Sequence, residues 1–390
     1  MIQFNSPITP KIAFIIDEFA GPIAGTEKHL LSLIEGLTEN TFEVHLVCLR
    51  RSRHLGFNSL PCPVHVLSIS KLFSPGAILA GLNLCRLLRV NRISIAHVFF
   101  PDASVIVPLF CRLAGTSVIL SRRDMGFAYT PQHIFLLKLN RLFVDRVIVN
   151  SQAVKHAVCS TERWVSSRRV KVIYNGVDLS QVPNRDESAL RSQLNIPPEA
   201  PIVGMVSNLN PWKRHSDLID AFSLVHKQRP DTHLVIVGDG VMKPQLEHQT
   251  SALGLTAAIH FTGTLPHVGQ IISHLSVAVL CSETEGFSNA LLEYMAYSKP
   301  VVATRTGGNL DIIDHGRNGF MVPVGKTEAL AECILALLHD ADLRSKLGSE
   351  ALKTVASRFT MSRMLTAHMA MYFELVARRH SFKTNRRLSR

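Results

Sequence analysis

Short apolar runs rich in β-branched residues recur along this chain, each followed by a stretch of helical apolar spacing, and the runs show no period-two alternation. A strand with one wet face alternates polar with apolar. A run that is apolar throughout has to be covered on both faces, the condition of a parallel sheet between helix layers. The first run, KIAFIID (Lys11 to Asp17), leads into a Gly/Pro-rich loop (Phe19 to Gly25) and a helix from about Thr26 to Thr38. VHLVCL (Val44 to Leu49) and VHVLSI (Val64 to Ile69) read as further strands; ILAGLNLCRLLRV, ISIAHVFF, ASVIVPLFCRLAG, SVIL and DRVIVNS continue the alternation. This first Rossmann-like set closes near VIYNGVD (Val172 to Asp178). Residues 180 to 200, polar and Pro-rich, suit a linker and a first surface helix. A second set follows: PIVGMVSNL, a helix from about Ser216 to Lys227, HLVIVGDG, HFTGTL and SVAVLCS. At 390 residues there is room for two α/β domains, and we expect them at 1–179 and 180–360, then a helix over 361–377 and a basic tail over 378–390.

Charge is distributed unevenly. Residues 44 to 171 carry 18 Lys and Arg against four acids (Asp102, Asp124, Asp145, Glu162), a net of +14, and the tail from Arg378 holds six bases and no acid. A basic first half with a basic tail implies an anionic partner, of which a membrane surface and a lipid-diphosphate acceptor are the natural classes; a solvated surface that maintains solubility is the plain alternative. Nucleic acid would call for aromatic interleaving and a binding motif that the chain lacks, so no nucleic-acid partner is expected. Seven scattered cysteines without C-x-x-C, most in apolar runs, read as reduced buried thiols of a cytoplasmic protein, and neither zinc spacing nor H-E-x-x-H occurs. No signal peptide and no spanning segment are expected, which makes the inner face of the cytoplasmic membrane the place where such a basic protein would sit peripherally.

The stretch EGFSNALLE sets Glu285 and Glu293 seven residues apart at a strand-to-helix junction: SVAVLCS is the strand, ALLEYMAY the helix, and VVAT with a Gly307-Gly308 turn comes next. Around Phe287, Ser288, Asn289 and Ala290 the backbone N–H groups of a helix N-terminus suit phosphate. Glu285 before the helix and Glu293 one turn inside it could meet a sugar hydroxyl and a ribose diol on either side of a diphosphate. E-x7-E followed by Pro-Val-Val-Ala-Thr and Gly-Gly resembles the donor site of glycosyltransferase family 4. The resemblance implies the GT-B fold, α/β with two Rossmann-like domains facing across a cleft and a C-terminal helix crossing back to the first domain. It also implies a retaining, metal-independent, hexosyltransferase-type enzyme, with Glu285 facing the donor sugar and Glu293 the ribose. No cofactor is expected beyond the nucleotide-diphosphate sugar as co-substrate, and no D-x-D metal motif flanks the site.

Charge develops on the leaving phosphate, so a cation has to sit beside it. Lys213 in VSNLNPWKRH matches the Lys of the family's Arg-Leu-x-x-x-Lys, whereas Asn208 stands where the Arg belongs; Arg214, adjacent, is a possible substitute. Gly25 in Ala24-Gly25-Thr26-Glu27 takes the place of the family's Gly-rich first loop, and Gly263 that of the glycine whose backbone reads the base. In SRRDMGF, where many relatives carry His, Arg122 or Arg123 is a candidate anion ligand and Asp124 an orienting group or base; a self-neutralising surface cluster is the alternative there. His97 at a strand end is a lesser candidate, with a structural role the simpler reading.

A nicotinamide oxidoreductase is excluded by the missing G-x-G-x-x-G and by Leu49-Arg50 where its acidic residue belongs. The expected reaction is sugar transfer from a UDP- or GDP-linked donor to a glycan or lipid-linked acceptor, in cell-surface polysaccharide or lipopolysaccharide synthesis. A catalytically degenerate scaffold of the same fold, marked by Asn208, is the alternative.

Overall fold

The computed structural model describes residues 9–19, 21, 25–51, 60–69, 71–127, 129–181 and 188–388, without the side chains of 181, 188–190 and 379–388. Ala20, Pro22, Ile23 and Ala24 of the Gly-rich loop and the side chains of most of the basic tail therefore lie outside the described residues. The chain divides into two compact units, residues 1–174 with 362–390, and residues 175–361.

The first unit runs β1 (Lys11–Ile16), α1 (Gly25–Glu39), β2 (Glu43–Cys48), β3 (Val64–Val66), α2 (Pro75–Val90), β4 (Ile95–Val98), α3 (Pro101–Ala114), β5 (Ser117–Arg122), α4 (Pro131–Asn140), β6 (Arg146–Val149), α5 (Gln152–Thr161) and β7 (Val170–Val172). Among the described residues its sheet has seven strands, all parallel, in the order β3-β2-β1-β4-β5-β6-β7. The central strands are buried almost end to end, which is why their sequences lack alternation. One layer of core lies between the sheet and α2, α3 and α4 and includes Ala13, Ile15, Val47, Val98, Leu84, Val107 and Leu137. Helix starts follow local chemistry: proline opens α2, α3 and α4, and Ser74, Thr130 and Ser151 each cap a first-turn N–H. Pro108 inside α3 cannot donate to the Ser104 carbonyl four residues back. Buried Asn140 of α4 compensates, its Nδ2 donating to the carbonyls of Ser104 (3.4 Å) and Val105 (2.5 Å).

The second unit contains α6 (Ser188–Gln193), β8 (Ile202–Val206), α7 (His215–Gln228), β9 (His233–Val237), α8 (Lys243–Ala252), β10 (Ile259–Gly263), α9 (Gly269–His274), β11 (Val277–Leu280), α10 (Asn289–Ala296), β12 (Val301–Thr304), α11 (Asn309–Ile312), β13 (Phe320–Val322), α12 (Thr327–His339) and α13 (Ala341–Arg358). Among the described residues its sheet has six parallel strands, ordered β10-β9-β8-β11-β12-β13. The order reverses between β8 and β11: the chain moves outward through β9 and β10, then returns to the other side of β8. Crevices at such a switch point, outside the carboxyl ends of the strands, are where open α/β sheets hold ligands.

The last helix, α14 (Met361–Leu388), belongs to the first unit from Ser362 on. We expected a helix to residue 377 and a separate tail. The helix instead continues through the basic segment, whose Arg and Lys are good helix formers. It docks through Tyr372, whose hydroxyl lies 2.9 Å from His97 Nδ1, and through Glu374, which pairs with Arg146. His97 is fully buried and holds α14 to β4, the structural role.

Candidate active site

The loops that leave β8 and β11 flank the switch point of the second sheet, and they are joined side chain to side chain. After β8 the chain makes a tight turn at Pro211–Lys213 and enters α7 through Arg214 in the left-handed region (φ 54°). The turn is anchored from below: the buried Cys281 thiol donates to the carbonyl oxygens of Arg214 (3.1 Å) and Lys213 (3.4 Å), and Glu283 N–H donates to Trp212 O (2.8 Å). Burial pushes the Cys281 thiol up to about 12, so it remains a protonated donor. So held, Lys213 Nζ donates to Glu285 Oε1 at 2.6 Å, and Ser282 Oγ donates to the same oxygen at 2.7 Å. Glu285 is only 9% exposed. Polar atoms this far from water need such hydrogen-bond partners.

Glycine makes the Glu285 loop possible. Gly307 has φ +46°, and a Cβ there would overlap the Glu285 carbonyl oxygen; the Gly308 N–H donates to that same oxygen at 3.0 Å. On the β8 side Gly238 (φ +135°) lies against the Ser207 carbonyl in the same way. Gly263 ends β10, its carbonyl accepting the Gly238 N–H at 2.9 Å.

Helix α10 begins directly behind Glu285. Ser288 is its N-cap, its Oγ accepting from Leu291 N–H (3.3 Å). Phe287 is buried edge-on to Phe359, Asn289 Oδ1 accepts from Asn175 Nδ2 (2.6 Å), and Ala290 and Glu293 are half-buried on the first turns. Tyr294, fully buried, fixes the helix to the sheet by accepting the Val206 N–H at 2.6 Å. The positive end of α10 and the Lys213 ammonium thus lie on loops of one switch point. Asn208 is exposed on the β8 loop, where a longer basic side chain would have been expected.

Two arginines are held in ion pairs. Arg214 makes a bidentate bond to Asp217 (2.7 and 3.1 Å) and lies 3.6 Å from Glu283. Arg122, 3% exposed, donates to both Glu162 oxygens (3.0 and 3.5 Å) and to Ser104 Oγ (3.3 Å), with Tyr129 stacked 4.8 Å away. It is a core ion pair rather than a ligand-binding residue. Asp124 is exposed in the same loop and accepts the Gly126 N–H (2.6 Å), a local turn. Gly25, the first residue of α1, lies in the first unit with Arg122 and Asp124. Ser282, Tyr294, Asn175 and Glu162 were not foreseen; only the short Ser282-to-Glu285 spacing offered a signal.

Two family models match the chain: Glycosyltransferase Family 4 over residues 23–181 and Glycosyl transferases group 1 over residues 186–354. The chain is 27% identical to the N-acetyl-alpha-D-glucosaminyl L-malate synthase of Bacillus anthracis over 57% of its own length. It is also 27% identical to the putative glycosyltransferase EpsD of Bacillus subtilis over 77%, and to the lipopolysaccharide core biosynthesis glycosyltransferase LpsE of Rhizobium meliloti over 58%. It spans 59%, 81% and 64% of those relatives, respectively. Among solved structures, HepE from Anabaena in complex with UDP aligns with a TM-score of 0.82 at 23% identity, covering 93% of this chain and 100% of that one. A glycosyltransferase from Rickettsia africae aligns at 0.83 and 19%, covering 95% and 99%. The fold is that of the GT-B enzymes, and the chain belongs to glycosyltransferase family 4.

Proposed function

We propose that this protein transfers a sugar from a nucleotide-diphosphate donor to a hydroxyl of a glycan or lipid-linked acceptor during assembly of a cell-surface polysaccharide or lipopolysaccharide. The observation that carries the reading is the Lys213–Glu285 pair at the switch point, with the N-terminus of α10 directly behind it. On this account the donor diphosphate draws the Lys213 ammonium from Glu285, and the α10 amides share the phosphate charge. Glu285, still held by Ser282, then takes a hydroxyl of the donor sugar as its partner. As the glycosidic bond breaks, negative charge builds on the leaving phosphate, where a positioned ammonium and a helix dipole stabilise it more than they stabilise the ground state. Glu293 is assigned to the ribose, and the Gly263 backbone to the base. The same positive groups are the ones a metal ion would otherwise supply, which supports metal independence; retention of anomeric configuration rests on the family. A relative named for lipopolysaccharide core biosynthesis, and HepE crystallised with UDP, support the class of reaction and a UDP-linked donor.

We further place the protein at the cytoplasmic membrane surface, on the strength of the net +14 of residues 44–171; among the described residues no helix is long and apolar enough to cross a membrane. One observation favours the scaffold alternative: Asn208 leaves one cation where two are expected. Donor-dependent release of UDP or GDP in the presence of chelator, with the product anomer read by NMR, tests the reading. Nucleotide binding without release over extended incubation with candidate acceptors would favour the scaffold, and an inverted product would remove retention.

A further inference from the structure

We propose that the outward face of α2, α3 and α4 is an interfacial docking surface that seats on an anionic bilayer, with apolar side chains entering the lipid. This rests on the membrane placement above and names the surface responsible. In α2 the inner stripe Ala77, Ala80, Leu84 and Leu88 fills the core. The opposite stripe still carries Ile78, Leu79 and Leu82, all more than half exposed. The spacing 78, 79, 82, 86, 89, 90 marks one helical face, and it continues through Arg86 and Arg89 to Val90. α3 adds exposed Leu109 and Leu113. On α4 and the residues after it, Phe135, Leu139 and Leu142 follow the same helical spacing at 62%, 56% and 72% exposure. Each helix is therefore apolar on both sides, although only one side faces the sheet.

The three stripes share one layer. Phe110 of α3 packs where Gly81 of α2 has no side chain, Arg89 Nη2 donates to the Leu113 carbonyl at 2.6 Å, and Asn140 ties α4 to α3. Soluble proteins seldom leave so many large apolar groups together on one surface without a partner. The charges around them identify it. Arg86, Arg89, Arg92, Lys138 and Arg141 border the stripes, and residues 71 to 142 contain two acids, Asp102 and Asp124. Asp102 is paired with Arg50 and His133. An apolar stripe edged by Lys and Arg is the pattern of helices that lie in the headgroup region of anionic membranes. Two copies of this face would repel each other, which argues against self-association as its use.

The test is flotation of the full chain with vesicles of phosphatidylcholine alone or mixed with phosphatidylglycerol. The variants are Leu79→Glu/Leu82→Glu and Phe135→Ser/Leu139→Ser, with thermal melting to confirm their folding. We expect the wild type to bind the anionic vesicles only, and each double variant to lose about tenfold in partitioning, while donor binding by the second unit is unchanged. A Leu79→Trp reporter should be quenched by brominated lipid. Variants that float as well as wild type would overturn this surface and leave the membrane placement to the tail or to diffuse charge. A wild type that binds no vesicle would overturn both, with the donor-site reading unaffected. A dimer abolished by the same variants, without vesicle binding, would assign the face to a second copy and also overturn the proposal.

Discussion

Lys213 and Glu285, 72 residues apart in the chain, meet at 2.6 Å because β8 and β11 are neighbours in the sheet and each ends in a loop turned toward the other. The Lys213 side chain is 20% exposed and that of Glu285 10%, so the pair is only partly shielded from water. The pair holds the Lys213 ammonium at the switch point, beside the N-terminus of α10.

Lys213→Met leaves a buried carboxylate without its strongest donor. The single variant should lose about 1–3 kcal/mol of stability, and Lys213→Met/Glu285→Gln should recover most of it while activity stays lost in both. Chemical denaturation of the four proteins of this cycle measures the coupling; additive effects would mean the pair does not interact in solution.

Gly307→Ala forces a side chain against the Glu285 carbonyl at a positive φ. We expect a loss of about 1–3 kcal/mol and weakened donor binding, because the displaced loop is the one that carries Glu285. Ala at Gly316, which is also at positive φ (+80°) but with open space around it, is the control: it should cost stability without affecting the donor.

Arg122 and Glu162 form a core ion pair, so Arg122→Ala should destabilise the first unit by about 3–5 kcal/mol, while nucleotide binding by the second unit persists. Calorimetry and a binding titration on the same variant separate the two effects. An Arg122→Ala protein that melts normally yet has lost turnover would restore this residue to the reaction.

His215 is held by burial, and then by the Lys213 charge, down to about 4. Between pH 6.5 and 4 the unfolded chain takes up this proton and the folded one does not, so the contribution of His215 to stability is full above pH 6.5 and falls as pH drops through that window. Burial lowers His368 to about 4 as well. Asp17 works in the opposite direction: burial raises it to about 6, so its share of stability improves as pH falls from 6 toward 4. His215→Gln should reduce the acid slope by up to about 1.4 kcal/mol per pH unit, and Asp17→Asn should steepen it, both read from denaturation at a series of pH values.

Asn208→Arg restores a second cation on an exposed loop position. Donor diphosphate binding should tighten by about tenfold, the order of one charge-assisted hydrogen bond. Unchanged affinity, measured by titration, would place position 208 away from the phosphate.

Much of the architecture is visible in the residues, because a parallel strand buried on both faces must be apolar throughout: KIAFIID, VHLVCL and VVAT each became a strand to within a residue or so. VHVLSI yielded only Val64–Val66, since it lies at the sheet edge and Ser68 turns it away at φ +56°. SVAVLCS shortened to Val277–Leu280 because Ser282 leaves the ladder to hold Glu285. Arg122 could not be read correctly from its neighbours. Its partner Glu162 is 40 residues away on the chain, and the local Arg-Arg-Asp run suggested the wrong acid. Local pattern reports which residues can be buried, whereas which charges meet is decided by topology.

If the loops around Lys213 and Glu285 hold a nucleotide-diphosphate sugar, as proposed, donor binding depends on the Lys213 ammonium. Isothermal titration of the full chain with UDP- and GDP-linked sugars, in wild type and in Lys213→Ala, tests it most directly. Saturable binding of one nucleotide class by the wild type is expected, with affinity about 10- to 100-fold weaker in the variant, the worth of one charged hydrogen bond at roughly 1.5–3 kcal/mol. Equal affinities in the two proteins, whether measurable or absent, would contradict it.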